Sequence, residues 1–143
     1  MSIRSSCALT LAVWLLVGAP RAHAQAPDIQ AEYDACIEDY TAQSNSATAP
    51  LLDCLAVKYE RWDEELNAVY QSLRRALDAD GRAALLTAQR AWLAFRDAEF
   101  ALLDAAHADL GAMGAVLAAE RRAYLVEERW HHLAALRDEL VQD

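Results

Sequence analysis

Apolar residues recur at helical spacing in two stretches, and the rest of the chain is arranged around them. Between Trp62 and Leu77 the positions Trp62, Leu66, Val69, Tyr70, Leu73 and Leu77 step by three and four, which draws one stripe along a helix. A second stripe takes Leu85, Leu86, Gln89, Trp92, Leu93, Arg96, Phe100 and Leu103, and it has polar members. Between the two lies Asp78-Ala79-Asp80-Gly81. Asp80 is placed to accept from the free amides that open the next helix, and Gly81 tolerates backbone conformations that other residues avoid. The pair is expected to form an antiparallel helix hairpin.

The flanking segments extend this pattern. From Asp28 to Gln43 the apolar positions Ile29, Tyr33, Cys36, Ile37 and Tyr40 predict a short amphipathic helix opened by Pro27-Asp28. Ser44 to Pro50 is small and polar and ends in proline, so the chain turns there. A long helix is expected from Leu51 to Leu77 and another from Arg82 to about Leu110, with Gly111 to Gly114 as a break. The last helix, Ala115 to about Leu140, shows Leu117, Tyr124, Leu125, Leu133, Leu136 and Leu140 on one broad side. No segment alternates at strand period, and β-branched residues are few. The expected fold is all-α, an antiparallel up-down helical bundle of one short and three longer helices.

The first 24 residues stand apart. Arg4 lies in a short basic head, an apolar run follows from Cys7 to Ala19, and Ala22-His23-Ala24 has small residues at both cleavage positions. This is the pattern of a secretory signal peptide cut after Ala24, leaving residues 25–143 as one soluble helical domain in the periplasm or outside the cell. Removal also shifts the charge. Of 13 basic residues Arg4 and Arg21 leave with the leader, whereas all 22 acids remain, so the net charge moves from −9 to −11. That sign is the opposite of what a nucleic-acid binder needs. Cys36 and Cys54 are the two cysteines left, and export puts them where disulfides persist. Their pairing closes a loop worth about 3 kcal/mol in the chain-entropy model, and it requires the first helix to fold back on the second.

The succession Cys36, Cys54, then Asp63-x-x-Leu66-Asn67-x-x-Tyr70, then Gln89-x-x-Trp92-x-x-Phe95-Arg96-Asp97-Ala98 resembles the lysozyme-inhibitor LprI-like N-terminal family of small exported bacterial proteins. The resemblance covers nearly the whole mature chain. Family members commonly carry a second cysteine pair, one cysteine just after the Arg-Asp-Ala run and its partner in the last helix. Here Phe100 takes the first position and Arg121 or its neighbours the second, so the last helix is expected to be held by packing alone.

A hairpin turning near Asp80 sets residues opposite one another when their numbers sum to roughly 159 or 160. That puts Asp63 opposite Arg96. An arginine on an inner stripe needs a neutralising acid, so Asp63, Asn67, Gln89 and Arg96 are expected to form a polar clasp between Tyr70 and Trp92, with Asp97 beside it and a carboxylate of Asp63 or Glu64 within hydrogen-bonding reach of Arg96. A structural clasp is preferred to a ligand or catalytic site because polar groups in bundles serve one another first.

Signals for chemistry are weak elsewhere. His131 and His132 are adjacent and diverge by about 100° on a helix, so they do not chelate one metal from one face. His107 stands alone, and Asp97 with Glu99 or Glu127 with Glu128 read as solvated faces of an acidic protein. No nucleophile elbow, phosphate-binding glycine loop or zinc-binding helix motif occurs. No metal, cofactor or enzymatic activity is expected.

Two functions remain. The resemblance implies inhibition of lysozyme, a basic partner that the acidic surface would attract and steer. The expected contact surface is the Ser44 to Pro50 loop, with Ser44, Asn45 and Ser46 tethered by the disulfide and Asp34, Glu38 and Asp39 nearby. The alternative is a structural or adaptor protein of the cell envelope with no lysozyme activity, gripping another component through Met113, Tyr124 and Trp130.

Overall fold

The computed structural model describes residues 28–43 and 48–141; the leader expected over Met1–Ala24 and the loop residues Ser44, Asn45 and Ser46 lie outside them. Four helices run in sequence: α1 (Ile29–Gln43), α2 (Thr48–Ala76), α3 (Ala79–His107) and, after a 3-10 turn at Ala108–Leu110, α4 (Gly111–Val141). Among the described residues there is no strand. One short and three longer helices, antiparallel between neighbours and joined by one disulfide, are the expected architecture.

The helix ends follow local chemistry and correct several expected boundaries. Asp28 opens α1: its carboxylate accepts from the Ala31 amide at 3.1 Å. α2 begins at Thr48, not Leu51, with Pro50 inside its first turn, where a missing amide hydrogen costs no intrahelical bond. α3 is capped by Asp78, not Asp80; Asp78 has extended backbone, and its carboxylate accepts from the Gly81 amide at 2.8 Å. The break expected over Gly111 to Gly114 is a single-residue reversal at Gly111, whose φ of +57° suits glycine. Gly114 lies inside α4, where a Cβ would run into the His107 carbonyl oxygen. That glycine is what lets the start of α4 pass the end of α3.

Contacts show how the helices are layered. Cys36 of α1 is bonded to Cys54 of α2, with Cα atoms 5.8 Å apart. Near the other end of α1, Lys58 donates to the Gln30 side chain at 2.8 Å, its ammonium lies 5.0 Å from the centre of the Tyr33 ring, and Arg61 pairs with Glu32 at 3.0 Å. α2 and α4 run parallel: Leu52 and Tyr59 lie beside Ala119 and Arg122, and further along Trp62 packs on Trp130 with ring centres 5.3 Å apart. α3 runs back against both, with Tyr59 edge-on to Phe100 at 6.0 Å. These two numbers sum to 159, the expected register.

The core lies chiefly between α2 and α4. Trp62, Leu66, Val69 and Leu73 of α2 meet Val126, Trp130, Leu133 and Ala134 of α4, closed by Ile29 and Leu85. Each of the larger side chains contributes about 1.5–3 kcal/mol by leaving water. The α2 stripe is the one read from the sequence. The α4 stripe is so only in part: Leu125 and Leu133 are buried as expected, but Leu117, Tyr124, Leu136 and Leu140 are exposed, and Val116, Ala118, Ala123 and Val126 are buried in their stead. α3 is peripheral, and Leu85 is its one buried residue among those described.

Candidate functional site

Because α3 leans on α4 more than on α2, its inner stripe borders a groove. This groove, about 440 Å³, runs between α2 and α3 and is lined by Asp63, Asn67 and Tyr70 from one side and Gln89, Trp92 and Arg96 from the other. The residues singled out from the sequence as a clasp thus share one surface. No polar or charged residue among those described is buried, so they do not form a sealed interior network.

The expected pairing of Arg96 with Asp63 or Glu64 is not made, and Glu64 pairs with Arg61 instead, at 2.6 Å. Arg96 donates from Nε and Nη2 to the carboxylate of Asp97, its own neighbour, at 3.0 and 2.8 Å. Asp63 accepts instead from the amide of Asn67 at 3.1 Å, and that amide also donates to the Asp63 backbone carbonyl at 2.9 Å. The reason is solvent. At a groove edge an arginine whose side chain is 20% exposed is neutralised by an exposed carboxylate beside it, and the longer reach across the groove gains nothing further.

What ties α3 down is a ladder of arginines and aromatic rings. The guanidinium of Arg129 lies 5.7 Å from the centre of Trp92, Arg96 lies 5.5 Å from Trp92 and 5.7 Å from Phe100, and Arg122 lies 5.2 Å from Phe100. Such contacts contribute roughly 0.5–1 kcal/mol each at exposed sites and about 2 when water is excluded. Arg122 also pairs with Asp104. Arg129 donates twice to the Gln89 carboxamide oxygen, at 3.2 and 3.1 Å, and burial holds its guanidinium below the ordinary arginine range. Phe100 and Arg122, near the positions where the family's second cysteine pair would stand, therefore make a non-covalent join between α3 and α4.

Arg129 and Arg122 escaped the sequence reading. Pairing α3 with α4 around Gly111, as α2 was paired with α3 around Asp80, would have placed Trp92 opposite Arg129 and Phe100 opposite Arg122. The expected contact surface is separate from the groove. Asp34 accepts from Gln30 at 2.8 Å, while Glu38 and Asp39 are exposed on α1. Of the three anchors named for an adaptor, Met113 and Tyr124 are exposed, but Trp130 is core, packed on Trp62 and edge-on to His131 at 4.8 Å. Among the described residues no group of three or more histidines, cysteines or carboxylates is gathered to hold a metal.

The family model described as lysozyme inhibitor LprI matches residues 39–133, from the middle of α1 to the last third of α4. The chain belongs to the lysozyme inhibitor LprI family. No curated protein and no solved structure matches it. The matched span contains the whole groove, the arginine ladder and Cys54, whereas Cys36 falls just before it. LprI membership identifies this as a lysozyme-inhibitor-like protein of an exported family of inhibitors rather than catalysts.

Proposed function

We propose that this protein is exported, loses residues Met1–Ala24, and as residues 25–143 inhibits a basic lysozyme in the periplasm or outside the cell by non-catalytic binding. The single observation that carries this is the LprI match over residues 39–133. Charge supports it: the mature chain is at −11, and α1 holds Glu32, Asp34, Glu38 and Asp39 with no lysine or arginine. Glu32 is engaged by Arg61. Asp34, Glu38 and Asp39, with Ser44, Asn45 and Ser46 beyond them, make the proposed contact surface, where the disulfide reduces the ordering cost of binding.

The test is lysis of cell-wall suspensions by lysozyme with the mature protein in molar excess. The expected result is inhibition that weakens by roughly fivefold or more between low and moderate salt, since exposed charges are screened beyond about 10 Å at 0.1 M. Asp34→Lys combined with Glu38→Lys is expected to weaken it by a similar factor with helical content intact. Unchanged lysis at clear excess ends this reading.

One observation favours a second reading. The span from Ala79 to Leu140 holds an 18-residue window of mean hydropathy 1.3, of which 11% is buried. Around the α3–α4 corner Leu102, Leu110 and Met113 are each more than half exposed. Apolar surface of that kind suits an envelope adaptor, and a protein that leaves lysis unchanged yet co-purifies with an envelope component would take that role.

A further inference from the structure

The groove between α2 and α3 has the organisation of a ligand site rather than of a clasp. Asp63, Asn67, Gln89 and Arg96 are each held by a partner on their own helix or on α4. Asn67 spends its amide hydrogens on Asp63, which leaves its carbonyl oxygen unspent. Gln89 spends its carboxamide oxygen on Arg129, which leaves its NH₂ group unspent. Arg96 is fixed by Asp97 and by the Trp92 and Phe100 rings. Among the described residues the Tyr70 hydroxyl and the Arg90 guanidinium, which also line the groove, carry no hydrogen bond. A clasp would spend these groups on one another; supporting bonds that orient a side chain and leave its other atoms unspent are how binding sites are preorganised.

The chemistry of the unspent set selects the ligand. Donors from Gln89, Arg90 and Tyr70 sit among acceptors from Asn67 and Asp63, interleaved with apolar surface from Leu86, Leu93 and Trp92. Asp63 offsets one arginine of the groove and Asp97 the other, so the site is close to neutral on a chain whose net charge is −9. An isolated anion or cation finds no matched countercharge there. A purely apolar ligand would leave the amides unpaired, at about 1–3 kcal/mol for each buried group. A sugar ring answers both requirements, because its hydroxyls donate and accept around an apolar C–H face. An acetamido substituent adds an N–H, a carbonyl and a methyl group suited to the same mixture. At about 440 Å³ the groove falls within the roughly 300–1,000 Å³ of small-molecule sites.

We infer that the groove between α2 and α3 binds short saccharides bearing acetamido groups. The inference is independent of lysozyme, and its test contains none. The mature protein is titrated by calorimetry with tri-N-acetylchitotriose and, in parallel, with cellotriose, which has the same linkage and no acetamido groups. Saturable binding is expected for the first, with Kd between roughly 10 µM and 1 mM, and at least tenfold weaker binding for the second. Asn67→Ala combined with Gln89→Ala is expected to weaken binding tenfold or more. Tyr70→Phe, which removes one hydroxyl and no volume to speak of, is expected to weaken it severalfold with an unchanged thermal midpoint, and Asp109→Asn, in the 3-10 turn far along the chain from the groove, is expected to have no effect. Absence of binding at about 10 mM, equal binding of both sugars, or affinity indifferent to both groove variants would overturn the assignment.

Discussion

Tyr59 sits where the three long helices meet, edge-on to Phe100, and its phenol is responsive to that setting. Burial pushes its ionisation above the ordinary 10.0; Arg96 pulls it back, while Asp63 and Asp97 add to the rise. Tyr33 is raised in the same direction, by burial first and then by Glu120 and Asp34. A phenol that holds its proton more tightly in the folded state contributes stability in full below the unfolded value. That contribution disappears as pH climbs through the raised value. Thermal midpoints should therefore fall as pH rises above about 10, and those of Tyr59→Phe should fall less. Identical pH curves for the two proteins would remove Tyr59 from the account.

At the scale of elements, α1 and the α3–α4 corner rest on few groups. α1 is joined to α2 by the Cys36–Cys54 bond, by Ile29 in the core and by exposed polar contacts from Lys58 and Arg61. Such surface pairs are worth at most about 1 kcal/mol each. Replacing both cysteines by serine should cost about 3 kcal/mol in urea unfolding, with loss of amide protection concentrated in α1. At the corner, Gly114→Ala would drive a methyl group into the His107 carbonyl. Backbone cannot yield as a flexible side chain does, so a loss of about 1–3 kcal/mol is expected from thermal melts.

These elements also show what the sequence could convey. α2 was legible because its buried residues are large and regularly spaced: Trp62, Leu66, Val69 and Leu73 stand out from Glu64 and Asn67. α4 was read correctly at Leu125 and Leu133 but misread elsewhere, for the converse reason. Ala118, Ala123 and Ala134 are buried, yet they show little contrast with their neighbours, so the exposed Leu117, Tyr124 and Leu136 dominated the pattern. The register of α3 against α2 followed from the turn, and Tyr59–Phe100 bears it out. The partner of Arg96 did not follow, because register places backbones and leaves a side chain to choose among nearby carboxylates.

For the molecule as a whole, the order of helices in space departs from their order in the chain. α4, last in sequence, fills the centre beside α2 and carries the arginines that hold α3. The predicted salt dependence of lysozyme inhibition belongs at this scale too, since it depends on the summed charge rather than on one pair. The placement of α4 has a consequence for biogenesis. Until Val126, Trp130 and Leu133 have emerged from the ribosome, Trp62 and its neighbours lack most of the surface on which they collapse. The polypeptide thus leaves its main core unformed for most of its synthesis, which suits the proposed passage of this chain through a narrow translocation channel before it folds.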